Sequence, residues 1–306
     1  MKIMITGGSG MVGTNLIHHL KDKSDYELFY PSSKEVNLLC YENINDYIKK
    51  VQPDLIINCA GLVGGIQANI KKPYSFLFQN LLMGLNLVDA SIKNKINRLI
   101  NLGSSCMYPK DLNRELSEDD LFSGKLEPTN EGYAIAKLSI ARLCEYANKE
   151  LNFNYKTIIP CNLYGKWDNF KPDQSHMIPS VIRKVYDSKL NNKDVVIWGD
   201  GTARREFMYV EDLADFISFG ILNYDRLDSL TNVGLGFDYS ILEYYNEIAS
   251  VIGYKGKFIF DLTKPTGMKK KLCSIKKQSI LGWKPKHNLN EGLTKTFKFF
   301  LNSYAI

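Results

Sequence analysis

A doubly wound α/β fold is predicted by two observations. Short apolar runs alternate with helical patterns through the first half of the chain, and a glycine-rich turn stands where the first run meets the first helix. The run Lys2 to Thr6 leads to a helix from Met11 to Lys21, and Glu27 to Tyr30 leads to a helix near Tyr41 to Val51. The strand Asp54 to Cys59 is followed by a helix from about Tyr74 to Asn94, then by the strand Arg98 to Leu102. A helix from about Tyr133 to Leu151 and a strand at Tyr155 to Ile159 continue the alternation, which calls for a parallel sheet covered on both faces. After Gly165 the pattern becomes irregular and Trp167-Asp168-Asn169-Phe170-Lys171-Pro172 reads as loop. That break divides the chain into residues 1–165, with a returning segment near 207–235, and a smaller mixed domain over 166–306. Repeats, low-complexity tracts and flexible linkers are missing from the sequence, so the two parts are expected to pack together.

Composition narrows the classes of function. The 306 residues are 44% apolar and 24% charged, enough for a substantial core. Neither a run of about 18 apolar residues nor a leader-like N-terminus is present, so a membrane role is not expected and the protein reads as cytoplasmic. The six cysteines are scattered without Cys-x-x-Cys spacing and there are four histidines, which argues against disulfides and structural zinc. The net charge of +6 is spread along the chain; its one tight run, Lys269-Lys270-Lys271, reads by itself as a solvated face, and nucleic acid is not an expected partner.

Gly7-Gly8-Ser9-Gly10-Met11-Val12-Gly13 lies between the first strand and the first helix and satisfies G-x-G-x-x-G. Gly7 and Gly10 permit a tight turn and close approach of a pyrophosphate to the helix N-terminus, where Met11 and Val12 begin the first turn. Gly13 lets helix and strand pack closely. This is the Rossmann arrangement for a dinucleotide. A carboxylate usually ends the second strand when the ligand is NAD, whereas here Ser32, Ser33 and Lys34 follow Tyr30-Pro31 and no acid appears before Glu35. Hydroxyls and an ammonium tolerate a 2′-phosphate, so NADP(H) is the expected cofactor.

Tyr133-Ala134-Ile135-Ala136-Lys137 places a phenol and an ammonium four residues apart on one helix face. The lysine charge is expected to lower the phenol pKa and help Tyr133 protonate a ketone oxygen as hydride reaches carbon. Such spacing also occurs by chance. It gains meaning from Gly103-Ser104-Ser105-Cys106 after an upstream strand, because a serine hydroxyl there can hold the same oxygen.

With these stretches the chain resembles the extended short-chain dehydrogenase/reductase family over essentially its whole length, and within it the GDP-L-fucose synthase subfamily. The resemblance also rests on Val63-Gly64-Gly65-Ile66, Leu126-Glu127-Pro128-Thr129-Asn130-Glu131, Asn162-Leu163-Tyr164-Gly165, Ser175-His176, Trp198-Gly199 and Arg205-Glu206-Phe207. It implies NADPH-dependent reduction of the carbon-4 ketone of a GDP-linked 4-keto sugar, with epimerisation at carbons 3 and 5. Residue by residue, it implies Ser104, Tyr133 and Lys137 as the reductase triad, with Tyr133 and Lys137 also against the cofactor. Cys106 and His176 become the base and acid of epimerisation. A ketone at carbon 4 acidifies the protons on carbons 3 and 5, so a thiolate and an imidazolium suit that work. The bland alternatives are a small buried hydrophobe for Cys106 and a loop histidine paired with backbone for His176.

The same resemblance implies Asn162, Arg205 and Lys184 as contacts to the substrate diphosphate, Trp198 near the base, and Lys271 as a further substrate contact. It implies a homodimer through the helix bearing Tyr133 and the helix before the catalytic strand, and Ile135, Leu138 and Ala141 are compatible with such burial. Some positions depart from the family. Ser9 and Leu62 replace basic residues, Gly132 replaces a proline, and the stretches Lys264-Pro265-Thr266-Gly267-Met268 and Leu272-Cys273-Ser274 lack expected aspartates. These changes leave open a reductase-only enzyme acting on a related GDP-4-keto sugar such as a heptose. Outside enzymology, a redox-sensing NADP-binding regulator is the competing class, disfavoured by the complete Ser/Tyr/Lys set.

Overall fold

The computed structural model describes residues 1–172, 174–264 and 268–304. The first half runs β1 (Lys2–Thr6), α1 (Met11–Leu20), β2 (Glu27–Phe29), α2 (Tyr41–Val51), β3 (Leu55–Asn58), α3 (Ile66–Lys71), α4 (Pro73–Lys93), β4 (Arg98–Leu102), α5 (Glu131–Leu151) and β5 (Asn154–Pro160). The rest runs β6 (Asn162–Tyr164), α6 (Met177–Leu190), β7 (Val195–Trp198), β8 (Arg204–Arg205), β9 (Phe207–Tyr209), α7 (Val210–Leu222) and β10 (Leu230–Val233). It closes with β11 (Tyr239–Ser240), α8 (Ile241–Ile252), β12 (Phe258–Asp261), β13 (Lys270–Lys271), α9 (Lys276–Leu281) and α10 (Leu289–Tyr304).

Six strands form a parallel sheet in the order β10-β5-β4-β3-β1-β2. Its central strands read as apolar runs because both faces are covered. Alternate side chains go to opposite sides: Ile3, Ile5, Leu55, Ile57 and Ile100 join one core cluster, whereas Met4, Ile56 and Leu99 join the other. The first cluster is closed by α1 and α7, the second by α2, α4 and α5. Strand order reverses between β1 and β3, and the crevice at such a switch point is where α/β sheets take their ligands. The returning segment supplies α7 and β10, and β10 pairs with β5.

The largest differences from the sequence reading are local. The helix carrying Tyr133 starts at Glu131 rather than at the tyrosine, and a short α3 precedes α4. In the second half a separate core forms around Phe170, Ile178, Ile197, Tyr244 and Phe300. Cys273, Leu281 and Trp283 turn back to the first core, so the C-terminal segment is shared between both. Among the described residues, no helix is long and apolar enough to cross a membrane.

Candidate active site

At the switch point the glycine turn is enforced by contact as well as by conformation. Gly7 has φ +70° and a side chain there would lie 2.6 Å from the Ala60 backbone nitrogen. A Cβ on Gly13 would fall on the Gly7 carbonyl oxygen, itself occupied by the Gly10 N–H at 3.0 Å. Gly10 is the N-cap of α1, whose first turn holds Met11, Val12 and Gly13, and no side chain caps it. Its free N–H groups and dipole suit a pyrophosphate, so the chain fits a dinucleotide at this end. After β2, Ser32, Ser33 and Lys34 are all exposed and available to a phosphate. The Glu35 carboxylate folds back to accept the Ser32 backbone N–H at 2.8 Å, closing the turn that displays them.

The catalytic candidates meet where β4 ends and α5 begins. Residues Ser105–Met107 form a single 3-10 turn with Ser104 as its N-cap, whose Oγ accepts the Cys106 N–H at 3.2 Å. The Ser104 hydroxyl also hydrogen-bonds the Tyr133 side chain. The Ser-x-Cys spacing thus puts the sulfur and the hydroxyl on one small turn facing the phenol. Asn130, the N-cap of α5, donates from Nδ2 to the Cys106 sulfur at 3.2 Å. The sulfur is half-buried and held by polar donors, unlike a cysteine that merely fills a core.

One expectation is corrected. Lys137 is not among the groups that shift the Tyr133 phenol: burial raises its pKa, Cys106 adds to this, and the Ser104 hydrogen bond opposes it. The lysine is drawn to the end of β4, where its Nζ donates to the Leu102 carbonyl at 2.9 Å and lies 5.9 Å from the Tyr133 ring centre. Burial lowers its own pKa to about 8, with Cys59 beside it acting in the opposite sense. Tyr133 is therefore held as a protonated phenol, the form a proton donor needs.

His176 is the N-cap of α6, and burial pushes its imidazole below the ordinary value. Among the described residues its side chain has no hydrogen-bond partner, so pairing with backbone does not account for it. The loop before it meets the glycine loop after β3, since Gly65 N donates to the Gln174 carbonyl at 3.3 Å. A side chain at Gly65 would lie 2.6 Å from the Ser175 carbonyl oxygen, which explains the second of the paired glycines.

The substrate-contact candidates fall into two groups. Lys184 donates to the Val196 carbonyl at 2.9 Å and lies 5.9 Å from the Trp198 ring centre, so it joins the tryptophan. Trp198 is 43% exposed, and the adjoining cleft of about 590 Å³ is lined by Asp200, Arg204, Lys264 and Lys269 among others. Arg205 and Lys271 are in register on the parallel pair β8 and β13. Arg205 is depressed by burial and supported by the nearby Glu127. Asn162 uses its amide nitrogen on the Glu206 carbonyl at 2.9 Å. The lysine run does not form one solvated face: Lys270 is exposed and pairs with Asp238, whereas Lys271 is 9% exposed with its Nζ 3.6 Å from the Cys106 sulfur. Of the altered C-terminal loop, Pro265, Thr266 and Gly267 lie outside the described residues.

Asn130 and Glu206 were not singled out by the sequence. Both stand in family-like stretches without an expected role of their own, and Glu206 is a buried carboxylate whose oxygens accept the Leu235, Gly236 and Cys273 N–H groups. Burial raises its pKa to about 7 despite those bonds.

Residues 3–236 match the family model described as NAD dependent epimerase/dehydratase family. The chain is 53% identical to a GDP-L-colitose synthase of Yersinia pseudotuberculosis, covering 99% of this chain and 98% of that protein. It is 46% identical to a GDP-L-fucose synthase of Azorhizobium caulinodans, covering 100% of this chain and 98% of that one. A GDP-6-OMe-4-keto-L-xylo-heptose reductase from Campylobacter jejuni superposes with a TM-score of 0.92 at 28% identity over 98% of this chain and 97% of its own. A GDP-mannoheptose C4 reductase from Campylobacter jejuni with NADP bound gives 0.88 at 29% identity over 98% of each chain. The chain belongs to the NAD dependent epimerase/dehydratase family, the extended short-chain dehydrogenases/reductases, and within it to the subfamily whose relatives are named GDP-L-fucose synthase and GDP-L-colitose synthase.

Proposed function

We propose that the protein is an NADP-dependent oxidoreductase that reduces the carbon-4 ketone of a GDP-4-keto sugar after epimerising carbons 3 and 5. The observation that carries this reading is the junction at Ser104, whose oxygen meets the Tyr133 phenol and caps the turn bearing Cys106. Groups able to serve a ketone oxygen and a base able to serve the neighbouring carbon acids share one locus. NADPH, when bound along Gly7, Gly10 and the start of α1, supplies the hydride. Ser104 and Tyr133 hold the carbonyl oxygen, first as an enolate during proton exchange and then as the alkoxide that takes the Tyr133 proton. Cys106 takes a proton from carbon as thiolate, and His176 returns one from the opposite side.

Substrate is held through GDP, with Trp198 and Lys184 at the base end and Arg205 and Asn162 toward the diphosphate. The cofactor is assigned to residues 1–165 with 207–235, and the sugar nucleotide to 166–306. Relatives named for GDP-L-colitose and GDP-L-fucose support a GDP-linked L-sugar product. The experiment is an assay in deuterated solvent with GDP-4-keto-6-deoxy-mannose and NADPH, reading cofactor oxidation and the product by NMR. Deuterium at carbons 3 and 5 supports the full reading.

A second reading, reduction alone on a related sugar such as a heptose, is favoured by one feature of the site. Burial pushes the His176 imidazole below its ordinary value, which works against the imidazolium that proton return needs. Reduction without solvent deuterium in the product establishes this reading and removes the first.

A homodimer through α4 and α5 is part of the proposal, with one correction to its residues. Leu138 and Ala141 are buried in their own core, while Tyr74, Phe78, Leu85, Ile135 and Tyr146 are exposed on the two helices. Light scattering that gives a monomer at micromolar concentration removes the dimer. Cytoplasmic location is likewise proposed, on the chemistry of a nucleotide-sugar substrate, and fractionation of cells tests it.

A further inference from the structure

We propose that Lys271 is a positioning residue for proton exchange: its ammonium, set beside Arg205 on β13, holds the Cys106 sulfur as the thiolate base. This inference rests on the reading of Cys106 as the base of epimerisation and adds the group that makes it one.

The placement of Lys271 is built by three sets of bonds. Lys270 and Lys271 pair in parallel with Arg204 and Arg205 of β8. Immediately after them, Leu116 N donates to the Leu272 carbonyl and Ser274 N donates to the Leu116 carbonyl, both at 2.9 Å. Cys273 N donates to the buried Glu206 carboxylate at 3.0 Å. The strand cannot slide without breaking these contacts, and they deliver the lysine to the turn formed by Ser105–Met107.

A lysine only 9% exposed must find an acceptor, because a buried ammonium without one is costly. Among the described residues the Cys106 sulfur is its one hydrogen-bond acceptor, at 3.6 Å. An ammonium has donors only, so the sulfur must accept, and Asn130 Nδ2 donates to the same atom at 3.2 Å. Two donors converging on one sulfur match a thiolate far better than a thiol, which accepts weakly. Asn130 is the N-cap of the 21-residue α5, so the positive end of that helix acts in the same direction.

Arg205, in register with Lys271 on β8, adds a second cation to this strand pair. Burial raises the Tyr133 phenol on α5 and the Cys273 thiol after β13 above their ordinary values. Lys271 is the cation whose Nζ is placed directly on the Cys106 sulfur, at 3.6 Å. The step balances without an oxidant or reductant: a carbon–hydrogen bond breaks, its proton goes to the thiolate sulfur, and its electron pair enters the enolate.

The test is alkylation of Cys106 by iodoacetamide in ligand-free enzyme across a range of pH, read by peptide mass spectrometry with Cys106→Ser as blank. Lys271→Met is expected to slow alkylation at neutral pH by about tenfold or more and to move the profile upward by about one to three pH units. Lys271→Arg is expected to retain most of the wild-type rate, which a purely structural role of the lysine stem does not predict. NADPH binding checks that the variant is folded, and Lys271→Gln answers the same question if the Met variant fails that check. An unchanged alkylation profile in the folded neutral variants overturns the inference. So does an unchanged profile combined with weaker GDP binding, which makes Lys271 a phosphate contact. Solvent-deuterium incorporation by the wild type judges the epimerase reading separately, because alkylation needs no substrate.

Discussion

Replacing Ser104 with alanine tests the site at the atom on which its parts depend. The hydroxyl accepts the Cys106 N–H at 3.2 Å and hydrogen-bonds Tyr133. Its loss removes a donor from the ketone oxygen, a change that typically costs about 100- to 1000-fold in turnover at an oxyanion site. It also removes the cap of the 3-10 turn, worth about 1 kcal/mol, which in a chain of this size lowers Tm by only a few degrees. The magnitudes separate the two roles: activity falls by orders of magnitude while the fold barely changes. Single-turnover measurements in deuterated solvent, following NADPH absorbance and deuterium in recovered sugar nucleotide, read both steps on one sample. Because the same oxygen is an enolate in one step and an alkoxide in the other, Ser104→Ala must slow exchange and reduction together. If exchange proceeds at the wild-type rate while reduction collapses, Ser104 does not serve the enolate and the shared-oxygen account is wrong.

Tyr133→Phe deletes the proton donor and is expected to lower reduction by about 100-fold or more, measured by steady-state NADPH oxidation. Cys106→Ser is expected to lower deuterium exchange far more than hydride transfer to an already epimerised ketone, and equal exchange in variant and wild type counts against Cys106 as base. Gly13→Ala drives a methyl into the Gly7 carbonyl and is expected to abolish NADPH binding in a fluorescence titration. In cofactor-free enzyme, Lys137 releases its proton near pH 8 when folded but near 10.5 when unfolded, so the native state binds fewer protons in between and its stability rises with pH over that window. Urea midpoints of wild type should approach those of Lys137→Met as pH climbs from about 8 to about 10.5, and a constant gap refutes the buried-ammonium account.

The Rossmann half was legible because its signals are local. Apolar runs at Ile3 to Ile5 and Leu55 to Ile57 need no knowledge of partners, and the contacts of Gly7 and Gly13 follow from a turn that any dinucleotide loop must make. The Ser104, Cys106 and Tyr133 set was legible for the same reason, as short spacings on one turn and one helix. Lys271 was not, because its meaning is set 165 residues away in the chain at Cys106. Its sequence neighbours are lysines, and only the register of β13 on β8 separates the one that turns inward from Lys270, which stays in solvent beside Asp238. Lys137 misled for a related reason. Helical spacing puts it on the face of Tyr133, but the carbonyl at the end of β4 captures its ammonium, and that acceptor belongs to a different element.

The same reasoning explains why one fold can carry two chemistries on one substrate. A ketone oxygen is the sink for charge both when a neighbouring carbon loses a proton and when carbon 4 receives hydride, so donors placed once serve twice. What must differ is the group that handles the carbon acids, and on the proposed epimerase reading that group is Cys106, on the turn capped by Ser104. Moving the cysteine by one residue along that 3-10 turn would swing its sulfur about 120° around the turn axis and away from Asn130 and Lys271, while leaving Ser104 and Tyr133 in place. On the proposed reading, a reductase gains or loses epimerisation through the contents of this turn and of the β13 segment facing it, without any change to the cofactor half.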